Sequence, residues 1–169
     1  MLRASITALS FALAGAACER AALPIAAEPR SNAAAAPPSS PCALGSLSAR
    51  LACESGSRPE AAPSVADVYL ALERAGMTLA HSRQVLAAPI GARYCELADL
   101  GGAGHVSVCE FEGAEAAERG RAFSSARFGA LMPGRVITRH EGTLVTWMAV
   151  HEVPRRAVLT ALPGEHVTP

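Results

Sequence analysis

A chain of 169 residues with fifteen arginines, no lysine, fifteen acidic residues and zero formal net charge has no bulk electrostatic attraction to nucleic acid, and none is expected as a partner. Half of its residues are apolar but only 4% are aromatic, so the core must be modest and built from Val, Leu and Ala, in one domain with accessory segments. Because arginine is the sole strongly basic residue, an arginine cluster carries little information about phosphate binding.

At the front of the chain, Arg3 precedes an apolar run from Ile6 to Ala17. That is the form of a secretory leader, too short to span a bilayer. It closes on Gly15-Ala16-Ala17-Cys18, which resembles the lipobox of bacterial lipoproteins, with Gly15 where an aliphatic residue is usual. The resemblance implies removal of residues 1–17, a lipid on Cys18, and a membrane as partner through that lipid on the extracytoplasmic face. The alternative is an ordinary leader cut near Ala14-Gly15-Ala16, which leaves Cys18 as a spare thiol. Both routes export the chain.

Five cysteines divide as Cys18 plus four that can pair in an oxidising compartment. Hairpin register favours Cys95 with Cys109, which leaves Cys42 with Cys53 by elimination. No C-x-x-C spacing occurs, which argues against a zinc or a redox site.

Residues 18–63 are rich in Ala, Pro and Ser, lack a sustained period, and read as a disordered tether. One island interrupts it: Leu44, Leu47 and Leu51 recur at helical spacing between Cys42 and Cys53, which fits either a stapled short helix or a disulfide-closed loop. The domain proper is expected over 64–153. Ser64-Val65-Ala66-Asp67 has the form of a capping box. Val65, Val68, Tyr69, Leu72 and Ala75 then make one apolar stripe, and Gly76 stands where a left-handed cap belongs. Met77 to Leu86 reads as a weak edge strand.

Tyr94–Ala98 and Val106–Phe111 flank a glycine-rich turn, Gly101 to Gly104, as a hairpin. With the turn centred on Gly102, Cys95 faces Cys109 at a Cα separation of about 5 Å, inside the disulfide window. A second helix is expected from Gly113 to Phe128, with acids early and arginines late as the macrodipole favours. Gly120 would let it lie close on a sheet. Another hairpin follows, from Arg135 to Val150, with Glu141-Gly142 as its turn. Residues 154–169 are a short helical turn or a loose tail. The fold class is therefore α+β: a mainly antiparallel sheet of about five strands with two helices packed on one face.

Ala71 to Gly76, Gly91-Ala92-Arg93-Tyr94, and Val106 to Phe111 followed by Ala114 to Ala117 resemble small bacterial envelope lipoproteins of uncharacterised function, over about residues 65–150. The resemblance implies a fold and an address, and carries no catalytic residues.

Chemistry-bearing groups are sparse. His140-Glu141 and His151-Glu152 do not form H-E-x-x-H and are expected to be solvated turn residues. Met77, Met132 and Met148 with His81 hold the donor types of a copper site, but methionines more often fill core gaps. Trp147 is expected in the core. Gly101 to Gly104 lacks the ending of a phosphate loop, and no nucleophile elbow occurs. No cofactor is expected. The favoured reading is a non-enzymatic envelope lipoprotein whose tethered module contacts a protein or envelope partner. A small periplasmic ligand or metal carrier using His, Met and Glu groups is the alternative, and a hydrolase with an unfamiliar site the third.

Overall fold

The computed structural model describes residues 41–61, 63–150, 152–162 and 165–166. The leader, Cys18, most of the tether and His151 lie outside the described residues. All described residues fall within one unit, Asn32–Pro169.

The first ordered element is α1 (Leu47–Gly56), capped by Ser46, whose hydroxyl accepts from the Ala49 N–H. Cys42, just ahead of the helix, is joined to Cys53 within it. Of the two readings left open for this island, a helix forms, stapled from its lead-in to its second turn. It is also docked. Glu54 is buried and accepts from the Ala87 and Ala88 N–H groups, and Gln84 Nε2 donates to the Leu51 carbonyl at 2.8 Å. The ordered body thus begins some twenty residues ahead of the boundary expected at Ser64.

The capping box forms as read. Asp67 N–H donates to Ser64 Oγ, and Ser64 N–H donates to Asp67 Oδ2 at 2.9 Å, opening α2 (Val65–Arg74). Its buried stripe is Val65, Val68, Ala71 and Leu72, and Gly76 has φ +78°. Then come β1 (Ala80–Val85), a single 3-10 turn (Ala88–Ile90), β2 (Tyr94–Asp99), β3 (His105–Glu110), α3 (Ala114–Phe128), β4 (Val136–His140), β5 (Thr143–Met148), α4 (Glu152–Ala161) and β6 (Glu165–His166).

The strands form one antiparallel sheet ordered β1-β2-β3-β5-β4-β6. In the β2–β3 hairpin Cys95 is directly opposite Cys109, and the two are disulfide-bonded with Cα atoms 4.1 Å apart. The α+β class and the antiparallel sheet stand, and β1 is the edge strand expected.

The packing of helices on the sheet is corrected. Alternation along the strands sends Ala98, Val106, Val108, Val145 and Trp147 to one face, where α2 and α4 cover them. The other face carries Cys95, Cys109 and Leu144, packed with Phe111 and Ala117 of α3. A sheet apolar on both sides needs covering on both sides. The C-terminal tail is corrected too: α4 buries Val158, Leu159 and the following Leu162, and β6 pairs with β4. Among the described residues no helix is long and apolar enough to cross a membrane.

Candidate functional site

The most organised polar cluster lies at the α2 end of the first face. Val106, Val108 and Glu110 point the same way along β3, so alternation delivers a carboxylate into an otherwise aliphatic layer. Glu110 is fully buried. Arg58 grips it in fork geometry, Nε to Oε2 and Nη2 to Oε1, both 2.6 Å, and the Val65 N–H donates to Oε1 at 2.7 Å. That last donor is an orphan of the first turn of α2, so the carboxylate also meets the positive end of a helix. The Arg58 guanidinium lies over the Tyr94 ring at 4.4 Å, and Glu110 raises its pKa through the hydrogen bond.

Beside the clamp, the Tyr94 hydroxyl donates to Glu96 Oε1 at 2.5 Å. Burial, helped by this hydrogen bond, pushes the Tyr94 phenol up to about 12. Burial likewise pushes Tyr69 well above the ordinary phenol value, with Glu96 adding to it. Both phenols therefore stay protonated at neutral pH, as hydrogen-bond donors. Glu110 has its oxygens occupied by three donors. The chemistry this cluster supports is structural: it fastens the segment before α2 to the sheet.

A second group stands at the opposite end of the sheet. A bulge in β1 between Ala80 and Arg83 coincides with His81 at φ +50°, and bulges re-aim side chains in this way. Asp99 bridges two imidazoles: its Oδ2 is 3.3 Å from His81 Nδ1, and its Oδ1 is 2.6 Å from His105 Nδ1. His105 chiefly, with His81, holds the Asp99 carboxyl below the ordinary carboxylate range. All three are open to water, and among the described residues no group of three or more His, Cys, Asp or Glu is placed to hold a metal ion.

An open groove of about 500 Å³ runs between the Glu141-Gly142 turn, the start of α3 and the segment before α2. Glu60, Glu112 and Glu141 line it, Glu112 being paired with Arg93. The other end of α3 differs. Leu131 is 73% exposed and Met132 37%, in the turn that leads to β4.

The residues singled out from sequence are placed as follows. Cys42, Cys53, Cys95 and Cys109 pair as expected. Trp147 is in the core, its Nε1 donating to Thr138 Oγ1. His140 is corrected: it is wholly buried rather than solvated, because it shares the inward face of β4 with Thr138 while β6 covers that edge. Of the set considered for copper, Met77 packs against the core, Met148 is cross-strand from His105, His81 is beside Asp99, and Met132 is in the turn after α3. Sequence reading missed the Arg58–Glu110 clamp. The signal was there in part, since Glu110 continues the inward alternation of Val106 and Val108.

No protein-family model matches the chain, and comparison with curated proteins and with solved structures gives no match.

Proposed function

We propose that the chain is an exported envelope lipoprotein, held to a membrane through Cys18, whose α+β module contacts a protein or envelope partner without catalysis. The observation that carries the reading is the cysteine pairing. Four of the five cysteines are consumed in two disulfides, the bonds favoured in an oxidising compartment, and the fifth is Cys18 at the end of the leader-like segment. The resemblance to small bacterial envelope lipoproteins supports the same address. The internal saturation of Glu110 by three donors supports a structural rather than a catalytic use of the most buried carboxylate on the α2 face.

Mass analysis of the protein from its native host tests it: the mature N-terminus is expected at Cys18 with added acyl mass and no free thiol. Replacing Cys18 by Ser should release the protein from the membrane fraction. A full-length chain inside the cell with reduced cysteines, or an unchanged membrane fraction for Cys18→Ser, overturns the reading.

A further inference from the structure

From Arg119 to His140 the chain carries five arginines and no acidic residue, in a protein whose charges otherwise balance. The absence of acids is the signal here, since arginine is the only basic choice this chain makes. Three of the five arginines are neutralised by the start of α3: Arg119 by Glu115, Arg121 by Glu118, and Arg139 by Glu118. The remaining two flank the turn that follows α3. Arg127 is exposed in the last turn of the helix, with no ion pair among the described residues. Arg135, on the far side, donates to the Ser124 carbonyl and hydroxyl, and burial lowers its pKa.

Between them Gly129-Ala-Leu-Met-Pro-Gly134 is uncharged and exposed along its whole length. It is nevertheless a formed turn. The Leu131 and Met132 N–H groups both donate to the Phe128 carbonyl, and the Arg135 N–H closes back on the Met132 carbonyl. Just before it, in α3, Phe123 and Phe128 meet edge-to-face at 6.5 Å. Two large apolar side chains are thus presented outward on a hydrogen-bonded turn, with arginines on either side of it and the groove lined by Glu60, Glu112 and Glu141 at the other end of α3.

We propose that this turn is a membrane-docking tip: Leu131 and Met132 enter the interfacial layer of an anionic phospholipid bilayer while Arg127 and Arg135 meet its phosphates. Apolar side chains gain by leaving water for the acyl boundary, and arginine stems lie along apolar surface with their heads at the phosphate level. The inference deepens the proposed function by naming the surface the module contacts, and it rests on that reading for a bilayer within reach.

The test uses the oxidised full chain carrying Cys18→Ser, so that no lipid contributes, and measures co-sedimentation with phosphatidylethanolamine–phosphatidylglycerol vesicles and with phosphatidylcholine vesicles. Binding is expected on the anionic vesicles, weakened by salt and by Arg127→Glu, and lowered about tenfold or more by Leu131→Glu with Met132→Glu. Both positions are on the surface, and an unchanged near-ultraviolet dichroism spectrum confirms that the variant remains folded. The milder Leu131→Ser is expected to fall between the parent and the double variant.

Anionic vesicles that leave the parent in solution overturn the proposal, and so does equal binding by parent and double variant. Self-association dissolved by the double variant, without vesicle binding, assigns the tip to a second copy and overturns it as well. Because no acyl chain is present in the assay, its failure is distinct from a failure of the lipid on Cys18, which the mass analysis reads.

Discussion

The two faces of the sheet are closed by different means. On one, aliphatic side chains and Trp147 meet α2 and α4, and a charge admitted there, Glu110, is sealed by Arg58 and a helix N-terminus. On the other, small residues, a disulfide and Phe111 bring α3 close; the buried carboxylate beside it, Glu54, is held by the Ala87 and Ala88 N–H groups, and the one at its margin, Asp99, is open to water between two histidines. A buried layer tolerates a charge only when its partners come with it, because an unpaired buried ion loses its hydration without compensation. A thin layer depends instead on the absence of atoms. The two faces should therefore fail in opposite ways, one by losing a partner and the other by gaining a methyl group.

The largest effect is expected at the sealed charge. Arg58→Ala leaves Glu110 buried with one donor, the Val65 N–H, and should destabilise the fold by about 3 kcal/mol, measured by urea unfolding with the disulfides intact. Adding Glu110→Gln removes the stranded charge and should recover part of that loss. A loss below about 1 kcal/mol for Arg58→Ala would place the pair among ordinary surface ion pairs and erase the contrast between the two carboxylates.

On the thin face the sensitive position is Gly120. A Cβ there would fall 2.6 Å from Phe111 Cζ and 2.9 Å from the Ile90 carbonyl oxygen. The ring can turn, but the backbone oxygen cannot, so α3 must lift from the sheet. Gly120→Ala should cost about 1–3 kcal/mol through overpacking, against a gain of about 1 kcal/mol in helix propensity. A net loss is expected. Pairing it with Phe111→Leu should recover only part of that loss, because the Ile90 carbonyl oxygen stays in place, and a net gain for Gly120→Ala alone would show that the approach is not tight.

Local signals in the chain were legible where one residue type has one physical use. Ser64 and Asp67 announce a helix start, Gly101 to Gly104 announce a turn, and the turn's centre places Cys95 opposite Cys109, all as observed. What sequence reading lost was long-range. Arg58 and Glu110 are 52 positions apart, and no period links them. The face that a helix covers is likewise not encoded in its own stripe: α3 buries only Ala117, Gly120 and Ser124, a stripe too small to reveal which side of the sheet it meets. His140 was misjudged for the same reason, since its burial comes from the inward face of β4 that it shares with Thr138, a face the turn beside it does not announce.

The smallest effect belongs to the open carboxylate, and it carries a sign. His105, with His81, lowers the Asp99 pKa. A lowered folded value means that ionised Asp99 stabilises the fold at every pH above the ordinary aspartate value of about 3.9. That contribution fades as pH falls through the lowered folded value. Asp67, held down by Ser64, and Glu118, held down by Arg121, fade in the same direction, so the acid limb of the protein alone does not isolate Asp99. The difference between the protein and Asp99→Asn does. Their melting temperatures, followed from neutral pH downward, should converge as the acid limb is descended, with the protein the more stable of the two at neutral pH. Curves that stay parallel through the acid limb would mean that Asp99 gains nothing from the two imidazoles, and that the thin face ends in water without an electrostatic margin.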